Sequence, residues 1–215
     1  MSDPAFDRPY PVQLDLRGRR ALVVGAGPVA AHKVDGLRRA GAVVTVVAPD
    51  AVPEIAGAAD VRWHRRPYRR GEVASYRLAI TATDDPVVNR QVARDGEAAN
   101  VFVNSADDPA NCSFILPAVL VRGDLQVSVS TNGRSPAFAR WARRRIAELL
   151  TDVHASALDV VSDVRDDVRA EIGTSEVDGW DEILDDPRFL DLVAAGRLDD
   201  ARRLVRSGLD VRRAR

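Results

Sequence analysis

The stretch RALVVGAGPVAAHKVDGLRRAG, Arg20 to Gly41, decides how the rest of the chain is read. An apolar run, Ala21 to Val24, enters Gly25-Ala26-Gly27-Pro28-Val29-Ala30. That turn opens a segment of helical periodicity, with Val29, Lys33 and Leu37 on one face and a stop at Gly41. Strand, tight turn and helix in this order are what a dinucleotide site requires. Gly25 permits the turn, Gly27 lets a pyrophosphate approach the backbone, and the small Ala30 lets the helix pack closely on the strand. The unpaired amides of the first helical turn then face the negative charge. A second apolar strand, Val43 to Val47, completes a βαβ unit. The competing reading is a glycine turn in an α/β protein that binds no nucleotide. The acidic residue expected about 20 residues past the glycines falls slightly late, at Asp50 after Pro49. No arginine follows in the first residues of that loop to meet a 2′-phosphate, which favours NAD over NADP. Asp50 as a plain turn cap is the alternative.

Bulk properties narrow the classes. In 215 residues, 31 Lys and Arg stand against 32 Asp and Glu, a net charge of −1. No global basic field points to nucleic acid or a membrane surface. The single cysteine, Cys112, excludes an intrachain disulfide and a thiolate zinc cluster and suits a reducing cytoplasm. No apolar run reaches membrane-span length, and the first residues carry no export signal. A cytoplasmic enzyme is the expectation.

Along the chain, residues 1 to 11 read as a proline-rich arm and Val12 to Leu16 as a short strand. Val61 to His64 reads as a third strand after the central βαβ pair, followed by a basic run, Arg65, Arg66, Arg69 and Arg70, which reads as a solvated face, with attraction of an anionic substrate as the alternative. Leu78 to Thr83 reads as a fourth strand, Asp84-Asp85-Pro86 as a helix start, and Val101 to Val103 as a fifth strand. Gly25, Asp50, Thr83 and Asp107 then all fall at strand ends, where doubly wound sheets bind ligands. From Ser113 the pattern changes. Phe114 to Val121 and Leu125 to Ser130, joined by Gly123-Asp124, read as an antiparallel pair. Ser135-Pro136 starts a helix with a stripe of Phe138, Trp141, Ile146 and Leu149. A second stripe joins Val153, Ala157, Val160, Val164 and Val168, and helices are expected over Trp180 to Leu192 and Leu198 to Val205. The fold expected is α/β. An N-terminal Rossmann-like doubly wound parallel sheet (1–112) precedes a small antiparallel strand and helix dimerisation element (113–150) and a helical C-terminal domain (151–215).

The histidines, His32, His64 and His154, are scattered, so a permanent metal cage is not expected. Ser130 and Ser135 lack a nucleophile elbow, and Cys112 has no basic neighbour. Carboxylates remain. Asp107 stands out at a strand end before a proline turn, with a turn or cap aspartate as its alternative.

Four blocks in order, DLRGRRALVVGAGPVAAHKVDGLRRAGAVVTVVAP, LAITATDDPVVNR, VFVNSADDPANCSFILPA and VSVSTNGRSPAFAR, resemble the precorrin-2 dehydrogenase and sirohydrochlorin ferrochelatase family, the N-terminal module of siroheme synthase. The resemblance covers about residues 10 to 150. It implies a homodimer that oxidises precorrin-2 to sirohydrochlorin with NAD and then inserts ferrous iron to give siroheme. It also implies that Asp107 is the general base and a transient metal or pyrrole partner. The NAD contacts it implies are Gly25, Gly27, Pro28, Val29, Pro49 and Asp50, with Thr83 and Asp84 nearby. Asn104 and the loop Ser130-Thr131-Asn132-Gly133-Arg134-Ser135 are the substrate-side candidates. Arg134 and Arg140 are placed to meet the substrate's eight carboxylates or are plain surface. The family usually has a second glycine where this chain has Asn132, a residue that tolerates positive φ better than most. A serine phosphorylated in some fused members is Thr131 here, so that regulation is not carried over. The chain is too short for the fused synthase's methyltransferase, so a separate enzyme is expected to supply precorrin-2. Two other readings stay open: a dehydrogenase with a separate chelatase, and an NAD-sensing module without catalysis.

Overall fold

The computed structural model describes residues 9–106, 108 and 111–210. Two compact units divide between Leu116 and Pro117.

In the first unit the elements run β1 (Arg20–Val24), α1 (Pro28–Arg39), β2 (Val43–Ala48), α2 (Pro53–Ala56), β3 (Arg62–Arg65), a 3₁₀ turn (Glu72–Ser75), β4 (Leu78–Thr81), α3 (Pro86–Ala98) and β5 (Phe102–Ser105). All neighbouring strands pair in parallel, in the order β3-β2-β1-β4-β5. The chain moves outward from β1 in one direction to β3, then returns to β1's other side for β4. The reversal places the switch point of the sheet between β1 and β4. Alternate residues of each strand feed opposite layers. Ala21, Val23, Val44, Val46, Leu78 and Ile80 pack with Ala30, Val34 and Leu37 of α1 and Ile55 of α2. Leu22, Val24, Val47 and Ala79 pack with Val73, Val92, Val101 and Val103 on the other face. Burial on both faces explains why these strands read as continuous apolar runs.

Three expectations here need correction. Val12 to Leu16 form no strand: both edges of β1 are taken, by β2 and β4. Only Leu16 is buried, while Asp15 folds back on the amide and guanidinium of Arg17. The buried face of α1 is Ala30, Val34 and Leu37, not Val29, Lys33 and Leu37, and Val29 is 49% exposed. The basic run is not uniformly solvated, since Arg66 makes a two-pronged, part-buried pair with Glu72.

The second unit contains β6 (Ala118–Arg122), β7 (Leu125–Val129), α4 (Pro136–Leu149), α5 (Asp152–Ile172), α6 (Trp180–Leu184), α7 (Pro187–Ala194) and α8 (Leu198–Gly208). β6 and β7 are antiparallel across Gly123-Asp124, where Gly123 takes a φ of +54°. β6 starts four residues later than the pattern suggests. Pro117 lacks an amide to donate, and before it the Phe114 carbonyl is taken by the Asn104 side chain. The second stripe is the spine of the helical core: Ala157, Val160, Val164 and Val168 pack with Phe189, Val193, Ala201 and Val205. The expected helix over Trp180 to Leu192 is two helices, because Asp186 accepts the Arg188 amide as an N-cap and Pro187 begins α7. The first stripe is not core. Within this chain Phe138, Trp141 and Leu149 of α4 are 57%, 48% and 73% exposed, and only Ala139 is buried.

Candidate functional site

A cleft of about 590 Å³ lies at the carboxyl ends of the parallel strands, at the switch point. Its floor is made where the turns after β1 and β4 touch. Gly25 has a φ of +103°, and a Cβ there would overlap the Ala82 carbonyl, so only glycine fits. Gly27 has the opposite character: a Cβ would meet nothing within 4 Å, and the backbone lies open to the cleft. Gly27 is also the N-cap of α1 and offers no side chain to it. The first-turn amides of α1 therefore carry no side-chain cap and, with the helix dipole, suit a phosphate. These residues fit a dinucleotide.

Gly25, Gly27, Pro28, Val29, Pro49, Asp50, Thr83 and Asp84 all line this one cleft. The Thr83 turn is pinned to α3: Asn89 donates to the Thr83 carbonyl at 2.9 Å, and the Thr83 hydroxyl donates to Asn89 at 3.0 Å. Asp85 is the N-cap of α3, accepting from the amides of Val87 and Val88. Asp107 lies outside the described residues. Asn104 is buried, its amide donating to the Phe114 carbonyl at 2.9 Å. Ser130 to Ser135 belong to the second unit and form a self-bonded turn. The Thr131 hydroxyl accepts the Ser135 amide and Ser135 caps α4 through the Phe138 amide. Asn132 takes a φ of +52°, the conformation the missing glycine would have adopted easily.

The cleft also includes residues that strand and helix periodicity does not single out, Pro67, Tyr68 and Ala106 among them. Tyr68 is fixed from behind. Its hydroxyl donates to Asp95 at 2.9 Å, and the same carboxylate accepts the Gly71 amide at 2.7 Å and the Gln91 side chain. Burial pushes the Asp95 carboxyl up, but these hydrogen bonds outweigh it and hold the group below the usual aspartate range. Burial, then the Asp95 carboxylate, pushes the Tyr68 phenol well above its ordinary value, so it stays a neutral donor. The only sequence signal for this wall was the aromatic interrupting the basic run.

A second cleft, of about 540 Å³, lies between the end of α3 and β5, with Arg94, Glu97, Phe102 and Cys112 in its lining. It has no glycine turn or helix N-terminus. Burial pushes the Cys112 thiol up, away from a reactive thiolate. Among the described residues, no group of three or more His, Cys, Asp or Glu is placed to hold a metal ion. Among them too, no helix is long and apolar enough to cross a membrane.

Comparison with known proteins agrees with this geometry. An NAD(P)-binding family model matches residues 12–118, and a model described as sirohaem biosynthesis protein central matches residues 122–149. The siroheme synthase of Thioalkalivibrio sulfidiphilus is 38% identical over 214 residues, covering 95% of this chain and 44% of its own length. That of Chromobacterium violaceum is 36% identical, covering 94% of this chain and 45% of its own. The chain thus spans less than half the length of these relatives. Among solved structures, the protein titled SirC, precorrin-2 dehydrogenase, shares the fold with a TM-score of 0.72 at 24% identity, covering 92% of this chain and 99% of its own.

Proposed function

The chain belongs to the family of the N-terminal module of siroheme synthase, and from that premise we propose that it oxidises precorrin-2 to sirohydrochlorin with NAD. The observation that carries the reading is the amide-lined cleft at the β1–β4 switch point, built on Gly25 and Gly27. The relatives named siroheme synthase and the fold shared with a precorrin-2 dehydrogenase support the substrate.

When bound, NAD supplies the hydride acceptor. Oxidation of precorrin-2 releases one hydride and one proton, giving sirohydrochlorin, NADH and H⁺. The α1 N-terminus would hold the pyrophosphate, and Asp50 would take the ribose hydroxyls. Asp107 is the general base for the proton. Ferrous iron insertion then follows as a second activity. It requires loss of pyrrole protons as the metal arrives, and a single carboxylate serves as base and passing ligand because oxygen holds iron(II) weakly. Arg134 and Arg140 are exposed and carry no ion pair among the described residues, which leaves their charge available to the substrate's carboxylates. A homodimer is part of the proposal: the exposed apolar faces of α4 and β6 need cover, and two copies supply it.

The test follows the absorbance of precorrin-2 with the purified chain and NAD, then adds ferrous iron. Sirohydrochlorin and NADH forming in equal amounts, followed by siroheme, are the expected results. Asp107→Ala should keep NAD binding and lower oxidation by a hundredfold or so. Near-normal turnover in that variant removes Asp107 from the mechanism. Oxidation without iron insertion would leave a dehydrogenase served by a separate chelatase, and NAD binding without oxidation would leave a sensing module.

A further inference from the structure

The end of the cleft beside β2 holds a feature that neither glycine turn nor family match assigns. β2 and β3 run parallel with Ala48 beside Arg65, so the two strands end side by side. The residues following Ala48 line the cleft, and Arg65 reaches across to both. Its Nε donates to the Pro49 carbonyl at 3.3 Å and a terminal nitrogen donates to Asp50 Oδ1 at 3.1 Å. Trp63 steadies the pair, donating from its indole to the Ala48 carbonyl at 3.0 Å while the Arg65 guanidinium sits 5.8 Å from its ring centroid. An arginine is therefore present where a 2′-phosphate would arrive. It comes from the neighbouring strand, 15 residues after Asp50, and not from the loop that follows Asp50.

We infer that Arg65 is a 2′-phosphate receptor kept occupied by Asp50, and that the pair, not Asp50 alone, sets the choice between NAD and NADP. The inference rests on the dinucleotide reading of the cleft. Asp50 acts twice: its carboxylate accepts ribose hydroxyls, and it repels a phosphate while engaging a guanidinium that would bind it. Both side chains are largely exposed, 86% for Asp50 and 72% for Arg65, so the exchange of partners needs no burial of charge. For the same reason the pair contributes little to folding, and replacing Asp50 leaves a folded chain in which to measure binding.

Calorimetric titration of the full chain with NAD and with NADP at fixed ionic strength tests this. The unaltered chain should prefer NAD. Asp50→Asn should weaken NAD and tighten NADP, each by about tenfold, as one charged hydrogen-bonding partner is lost and another gained. Asp50→Asn combined with Arg65→Ala should lose the NADP gain. NADP affinity that does not rise in Asp50→Asn, or that is equal with and without Arg65, overturns the inference while leaving the dinucleotide cleft intact. An unaltered chain that binds neither dinucleotide overturns the parent reading, and this inference with it.

Discussion

In the five-stranded sheet Leu22, Val23, Val46 and Ala79 are sealed from solvent by helices on both faces, whereas in the two-stranded sheet Val119 and Val121 stand 42% and 50% exposed. The helix after each sheet repeats the contrast. α1 buries Ala30, Val34 and Leu37, while α4 leaves Phe138 and Trp141 outside, their rings 5.2 Å apart and packed on each other. The first unit is complete within one chain and spends its specialised backbone on a cleft. The second has its core where α5, α6, α7 and α8 meet, and leaves the apolar faces of β6 and α4 as surface. A clean apolar pattern therefore means burial in the central strands and in α5, and an uncovered face in β6 and α4.

The largest effect that would sharpen this contrast concerns the buried carboxylate behind Tyr68. Asp95→Asn should destabilise the first unit by about 1–3 kcal/mol, since the Gly71 amide and Tyr68 hydroxyl lose an ionised acceptor. Urea unfolding at neutral pH would measure it. The pH dependence has a definite sign. The folded pKa of Asp95 is held below its unfolded value, so its contribution is full above about pH 4 and is lost as acid takes the pH down through the folded pKa. Asp95→Asn should flatten that limb of the stability curve, and an unchanged acid limb contradicts the assignment.

A smaller effect probes the other side of the comparison. Trp141→Ser removes an exposed ring and should change the unfolding free energy of the isolated chain by no more than about 0.5 kcal/mol. Sedimentation should nonetheless show less of the proposed dimer than in the parent. A loss of several kcal/mol in the single chain would mean that α4 is core after all, and the comparison would collapse.

Much of the first unit was legible because its determinants are local. A glycine turn between two β-branched runs and Asp85-Pro86 at a helix start are signals within a few residues, as is Ser135-Pro136 in the second unit. The line of cleft residues followed from the rule for parallel sheets, and Gly25, Asp50 and Thr83 meet as that rule requires. What was not legible depends on neighbours remote in sequence. Val12 to Leu16 alternates like a strand, yet no strand edge at β1 is free to take it. Periodicity put Val29, Lys33 and Leu37 on one face of α1, whereas the face that meets the sheet joins Ala30, the small residue expected there, with Val34 and Leu37. Arg65 could not be assigned to the cofactor end from spacing, because its nearness to Asp50 is a consequence of parallel pairing between β2 and β3. The Trp141 stripe shows the converse limit: a helical pattern states that a face is apolar, not what covers it.

Equilibrium NAD binding by Gly27→Asp tests the central claim most directly. A side chain at this position has open space before it, so the variant should keep the circular dichroism and melting transition of the parent while placing a carboxylate where the pyrophosphate must lie. The account predicts a fall in NAD affinity of about a hundredfold or more with the fold intact. A folded Gly27→Asp chain that binds NAD as tightly as the parent would contradict it.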